Sequence, residues 1–250
     1  MRVLPVEGVK EVKTFKFHKS KRPTAECPRS ICLRGFTLVE LLVVIAIIGV
    51  LAALIVPTIS KITAIRAISR TKTELKEVES WIANYKTKRG YYPPDNPANP
   101  NINQLYYELS GTVFTNGVYS TLDGSSTVEA ATMLPIAFGL GSKVSGFVNT
   151  AKGARDEGMT AQKFITELKP SQVAEMKSSL KILVGSVGWD SKLPPPILQF
   201  PDGPAKDAGV NPFRYVSTNP THNPNSFDLW IDIYIQGKTL RICNWSEDPQ

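Results

Sequence analysis

Histidine and cysteine are scarce, and what is missing narrows the chemistry. The 250 residues hold two histidines and three cysteines. His18 lies in a basic N-terminal segment, and His222 lies in a loop rich in proline and asparagine. A Ser-His-Asp arrangement would have to use His222, which has no nucleophile motif near it, so no catalytic set is evident. His222 reads as a solvated loop residue. Cys27 and Cys32 share the basic segment and have no second ligand pair, which argues against a four-ligand metal site. Lipid attachment at Cys32 needs an apolar stretch before the cysteine, and here the stretch follows it. Beyond residue 35 only Cys243 remains, so an internal disulfide there is excluded. The segment Gly139-Leu-Gly-Ser-Lys143 lacks the glycine-to-Gly-Lys spacing of a phosphate loop, and no clear strand precedes it.

Charge is unevenly spread. The chain carries a net +7. Residues 1–35 hold nine Lys/Arg and three Glu, which leaves 20 basic and 19 acidic residues for the remainder. The basic pI therefore reports the first 35 residues and not a nucleic-acid surface, so no nucleic-acid partner is expected.

Apolar residues are also concentrated. From Phe36 to Val56 the sequence reads FTLVELLVVIAIIGVLAALIV. As a helix that stretch spans roughly 31 Å, about one bilayer core. It is longer than the apolar core of a cleaved secretory signal. Arg29 and Arg34 precede it, so the N-terminus is expected in the cytoplasm and the bulk of the chain outside. Glu40 does not fit a plain anchor. A carboxylate at mid-bilayer costs about 2.5–3.5 kcal/mol, less near the interface. No partner for it is evident within the helix, and a partner on a neighbouring chain would turn the cost into an assembly signal.

Arg34-Gly35-Phe36-Thr37-Leu38-Val39-Glu40 followed by the apolar run resembles the cleavage and methylation motif of type IV prepilins and type II secretion pseudopilins. The resemblance implies that a prepilin peptidase cuts between Gly35 and Phe36 and methylates the new amino terminus of Phe36. It implies that Glu40 neutralises that amine on an adjacent subunit. It also implies that Pro57, just past the apolar core, bends the helix, and a proline there removes one backbone hydrogen bond.

After Pro57 the apolar residues become periodic. Ile68, Leu75, Trp81 and Ile82, with Val78 and Tyr85 interleaved, form one stripe. Thr71 interrupts it. Lys72, Glu74, Lys76, Glu77 and Glu79 are expected on other faces. Gly90 and Pro93-Pro94 terminate the pattern, so one helix is predicted from Phe36 to about Arg89. Residues 90–104 read as a loop. The string from Tyr85 through Gly90-Tyr91-Tyr92-Pro93 resembles the segment after the helix in major pseudopilins.

Residues 105–200 read as a mainly helical insertion relative to that family. Thr160–Leu168 and Pro170–Leu180 are predicted helices, with Pro170 in a first turn. A third covers Ala130–Leu140, interrupted at Pro135. The C-terminal part is strand-like. Phe213–Ser217 is one short strand. Phe227, Leu229, Ile231, Ile233 and Ile235 alternate with Asp228, Trp230, Asp232 and Tyr234. Gln236-Gly237 is a two-residue turn into a partner strand, Lys238–Cys243. Asn211-Pro-Phe-Arg-Tyr215, Phe227–Trp230 and Asn244-Trp245 resemble the end of the major pseudopilin domain.

The predicted fold is therefore α+β and pilin-like. A leader, 1–35, is cleaved. A long helix follows, half transmembrane (36–56) and half amphipathic (57–89). It packs on a small antiparallel sheet (211–245) inside a periplasmic globular domain, 90–250. The resemblance implies a non-enzymatic subunit of the inner membrane, single-pass, assembled into the pseudopilus of a type II secretion system. A type IV pilin of a surface filament is the alternative, and an anchored periplasmic binding domain a lesser one. Implied partners are other copies of the chain, minor pseudopilins, the prepilin peptidase and the inner-membrane assembly platform. No cofactor is expected. Calcium is the one metal the resemblance raises, through Asp228; Asp228 and Asp232 are expected instead to face solvent or the sheet edge, and calcium takes six to eight oxygens.

Overall fold

The computed structural model describes residues 35–96, 98–138, 146–151, 160–176, 179–189 and 210–250; the side chains of 54–60 and 133–134 lie outside this description. The leader with His18, Cys27 and Cys32, the segment 139–143 and the side chain of Pro57 fall outside it. The chain divides into two compact units, one ending at Ala52 and the other starting at Ala53.

Helix α1 covers Leu38–Arg89. It begins two residues after the predicted Phe36 and ends as predicted: Gly90 has φ 84° and its N–H bonds to Lys86 O at 2.8 Å. A residue in this left-handed conformation closes a helix, and glycine enters it without a Cβ clash. In the first unit the helix presents apolar side chains on all sides; Phe36, Leu38 and Leu51 are 72%, 78% and 53% exposed. Among the described residues no helix is long and apolar enough to cross a membrane. The predicted span continues through 54–56, whose side chains are not described.

In the second unit the stripe of α1 becomes core. Leu75, Val78, Trp81, Ile82 and Tyr85 are buried, and Ile68 packs against them half-buried. Thr71 does not break the stripe, because its hydroxyl donates to Ala67 O at 2.9 Å and lies buried. Glu74 departs from the prediction. It is buried, not on the polar face, and accepts the Ser186 amide at 2.9 Å, the Ser186 hydroxyl and Arg70 Nε at 3.2 Å. Helical spacing places Glu74 beside Leu75, and the segment at 186 supplies donors where apolar packing would otherwise be needed.

The small antiparallel sheet of the prediction is present, and among the described residues two further sheets accompany it. The C-terminal one matches: β7 (Arg214–Val216), β8 (Asp228–Ile235) and β9 (Lys238–Cys243) lie antiparallel in that order. Leu229, Ile231 and Ile233 are fully buried, as the alternation requires. Gln236 and Gly237 both have positive φ, 52° and 83°, which suits the strand twist of a two-residue hairpin.

Among the described residues the insertion is not mainly helical. Helix α2 (Leu105–Ser110) leads into β1 (Thr112–Thr115), β2 (Val118–Thr121) and β3 (Thr127–Glu129), and α3 (Ala130–Phe138) follows with Pro135 inside it. Strand β4 (Thr150–Ala151) joins β1 in parallel. The β1–β2 turn is Asn116-Gly117, a hairpin signal in the sequence. Thr160–Lys169 forms no helix, and Pro170–Gln172 is one 3-10 turn before the pair β5 (Val173–Glu175) and β6 (Lys181–Leu183). The reason is tertiary. The amides of Phe164 and Ile165 bond to Leu109 O at 2.7 and 3.3 Å, so a distant carbonyl takes the donors that a helix would direct to residues four positions back, and both side chains are buried.

Candidate functional site

The start of α1 carries the residues singled out for processing and assembly. Gly35 precedes the helix, and a Cβ built on it meets nothing within 4 Å. Among the described residues nothing around Gly35 therefore demands a glycine. Phe36 stands exposed.

Glu40 does have a partner within its own helix, contrary to the sequence reading. Thr37 is the residue before the first helical position, and Glu40 is the third residue in. The Thr37 amide and hydroxyl both donate to Glu40 Oε2 at 2.8 Å, and the Glu40 amide donates to Thr37 Oγ1 at 3.2 Å. This reciprocal pair is a capping box, spelled Thr-x-x-Glu in the sequence. It satisfies two of the amides that a helix start leaves open, and such a cap contributes about 0.5–2 kcal/mol. A carboxylate in the first turn also faces the positive end of the helix dipole. Both donors converge on Oε2, and among the described residues no hydrogen bond to Oε1 occurs. One oxygen thus orders the helix start while the other stays open to a further donor.

The globular unit holds other polar clusters. Glu108, on α2, is fully buried and accepts Tyr85 OH at 2.9 Å, the Val148 amide at 2.7 Å and the Asn149 amide at 2.9 Å. Asn149 extends the cluster: its Nδ2 donates to Glu108 O and Gln162 O, both at 2.6 Å, and its Oδ1 accepts Arg89 Nη2. Burial pushes the Glu108 carboxyl above its ordinary value, against the pull of the two backbone amides. The same burial, with Glu108 adjacent, drives the Tyr85 phenol far upward. All these contacts join segments distant in sequence. They are structural ties.

Asp228 is buried rather than facing solvent. Its carboxylate accepts the amides of Thr221, His222 and Asn223, each at 2.9 Å. Its oxygens are thus turned toward N–H hydrogens, which a cation would have to displace. Asp232 pairs with Arg241 at 2.8 Å and Arg214 at 3.6 Å. No group of three or more His, Cys, Asp or Glu able to hold a metal occurs among the described residues. His222 is exposed but not merely solvated. Its ring stacks on Trp245, with centroids 3.9 Å apart and planes 6° apart, and Nδ1 lies 3.2 Å from Asp228. Cys243 is a buried free thiol.

A family model described as the prokaryotic N-terminal methylation motif matches residues 34–56. The fimbrial protein EcpC of Eikenella corrodens is 30% identical over 128 residues, which is 50% of this chain and 77% of that protein. The chain belongs to the type IV prepilin-like family. The type IV major pilin protein PilE1 of Neisseria gonorrhoeae is 38% identical over 65 residues, 26% of this chain and 30% of its own length. The type IV major pilin protein PilA of Myxococcus xanthus is 41% identical over 59 residues, 24% of this chain and 27% of its own. No solved structure matches the prepilin-like chain. It spans under a third of these two pilins, so their whole-protein roles do not transfer with the match.

Proposed function

We propose that the chain is a non-enzymatic filament subunit of the type IV pilus class. In this reading a prepilin peptidase cuts between Gly35 and Phe36 and methylates Phe36. The apolar segment Phe36–Val56 holds the subunit in the inner membrane, with its amino end cytoplasmic and its globular unit outside, until it enters a filament of identical helices. The observation that carries the reading is the start of α1, where an all-round apolar surface surrounds a single carboxylate that caps its own helix. Such a surface needs lipid or neighbouring helices around it. The open Oε1 of Glu40 suits the new amine of an adjacent subunit, and in a low-dielectric bundle that charge pair is worth far more than at a surface. The bare surroundings of Gly35 support a glycine selected by an external reader, the peptidase.

Mass spectrometry of the membrane-extracted protein tests the processing. The expected species starts at N-methyl-Phe36, and Gly35→Val blocks its formation. An intact 1–35 segment in cells with active peptidase overturns the reading.

A pseudopilus of a type II secretion system, with minor pseudopilins and an assembly platform as partners, is the second reading. It is favoured by Cys243 being the only cysteine after Gly35, since that part of the chain cannot close a C-terminal loop with a disulfide. Deletion of the gene separates the two. Loss of envelope filaments with normal secretion supports the pilus, and loss of secreted proteins supports the pseudopilus.

A further inference from the structure

The insertion between residues 105 and 200 contains a cleft whose chemistry the filament role leaves unused. It has a volume of about 400 Å³ and is bounded by α2, the turn at 123–125, the segment 163–173 and β6. Three lysines line it, Lys163, Lys169 and Lys181, against one acid, Asp123. Of the acids nearby, Glu108 of α2 is turned into the buried cluster with Asn149, Glu167 is not among the lining, and Glu175 stands opposite Lys181 in the β5–β6 register without lining the cleft.

Asp123 does not neutralise the cleft. Its carboxylate is held inside its own turn by Ser125 Oγ at 2.6 Å, Thr121 Oγ1 at 2.8 Å and the Ser125 amide at 3.0 Å. It also takes one N–H of Lys163 at 3.1 Å, which sets the position of that ammonium. Lys181 Nζ gives one N–H to Ser125 O at 2.6 Å and lies 5.9 Å from the centre of the Tyr106 ring. An ammonium has three N–H groups, so Lys163 and Lys181 each retain two for a ligand. Lys169 lines the cleft from an exposed position. Hydroxyls of Ser125 and Thr166 stand in the same wall, and Leu168 and Val173 supply an apolar side.

We propose that this cleft is an anion site for a phosphate group. Three ammonium groups, two from the segment 163–173 and one from β6, exceed what one carboxylate balances, whereas a phosphate monoester carries about −1.5 to −2 charge at neutral pH and three acceptor oxygens. The ligand is either the free ion or a phosphate carried on a small polyol, whose carbon skeleton the apolar side would cover.

Calorimetric titration of the detergent-solubilised full chain with inorganic phosphate, and separately with glycerol 3-phosphate, tests this. The expected result is saturable binding of one equivalent of at least one of the two. Lys169→Gln and Lys181→Gln each weaken it about tenfold, the equivalent of one charge-assisted hydrogen bond. Lys76→Gln removes the same charge from exposed α1, outside the cleft, and leaves binding unchanged. Tighter binding of glycerol 3-phosphate assigns the carried phosphate, and equal or weaker binding assigns the free ion. Thermal melts accompany each variant. If Lys181→Gln fails to fold, Lys169→Gln, an exposed side chain, decides alone. Absence of saturable binding with both probes overturns the proposal, as does an equal loss in Lys76→Gln.

Discussion

The Glu108 cluster allows a sharp test of how the insertion is fastened to α1. Replacing Glu108 by alanine removes the acceptor for the backbone amides of Val148 and of the buried Asn149, and for the Tyr85 hydroxyl. The site is fully buried, so water does not replace the lost partner without a cavity opening. Each stranded amide costs about 1–3 kcal/mol, which puts the loss near 4 kcal/mol before any effect on Arg89. For a unit of this size each kcal/mol moves the melting point by about 2–4 °C, so a fall of about 8–16 °C is expected. Near-UV circular dichroism on the detergent-solubilised mature chain would follow it. Tyr85→Phe alone removes one donor and costs about 1 kcal/mol. In the Glu108→Ala background that same change costs almost nothing, because the partner is already gone. A Glu108→Ala melt within about 2 °C of the parent would refute the argument, and so would an undiminished Tyr85→Phe cost in the double variant.

Three other outcomes are expected. Leu75→Asp abolishes the cooperative melt of a fragment comprising residues 60–250, which otherwise folds as a soluble monomer; burial of this side chain contributes about 1.5–3 kcal/mol, and an unchanged melt would mean that the stripe faces a partner. Glu40→Leu leaves membrane insertion and cleavage intact but stops assembly, whereas Glu40→Gln keeps the reciprocal bonds with Thr37 and loses only the charge; fractionation and filament imaging of both variants separate the cap from the charge, and normal filaments in Glu40→Gln would show that the charge is dispensable. Hydrogen bonds, first from the Ser125 hydroxyl, hold the Asp123 carboxyl well below the usual carboxylate range, so its stabilising effect is present at neutral pH and fades as pH falls below about 4. Melts of Asp123→Asn and the parent should therefore differ at pH 7 and converge in acid; a difference that grows in acid would contradict the assigned direction.

Much of α1 and the C-terminal sheet was legible in the sequence because both obey one periodicity with one buried face. The stripe through Leu75, Ile82 and Tyr85 and the alternation through Leu229, Ile231 and Ile233 each report burial directly. The insertion was less legible because its periodicity misleads. Phe164, Ile165 and Leu168 have helical spacing, yet Leu109 and Asn149 take the backbone and side-chain bonds that a helix would need. The hairpin at Asn116-Gly117 carried a readable signal between two runs of β-formers. At the assembly site, Glu40 stood out as a charge among apolar residues, but its relation to Thr37 rests on a four-residue motif that is easily lost inside a longer one. Glu74 could not be read as buried, since its donors at Ser186 lie 112 residues away.

The asparagines that tie the core together carry a consequence for ageing. Asn103, Asn149 and Asn211 are buried, and each points its Nδ2 at a backbone carbonyl oxygen 2.6 Å away: Phe213 O, Glu108 O and Asp232 O. Hydrolysis of such an amide takes up water, releases ammonia and leaves a carboxylate. The donor becomes a negatively charged acceptor facing another acceptor, with no water to separate them. The burial that makes such a change so damaging also keeps water from these three amides, whereas the exposed Asn116-Gly117 turn lies open to it. Ageing chemistry therefore meets the subunit's exterior first, and the ties between distant segments are shielded for as long as the fold stays closed.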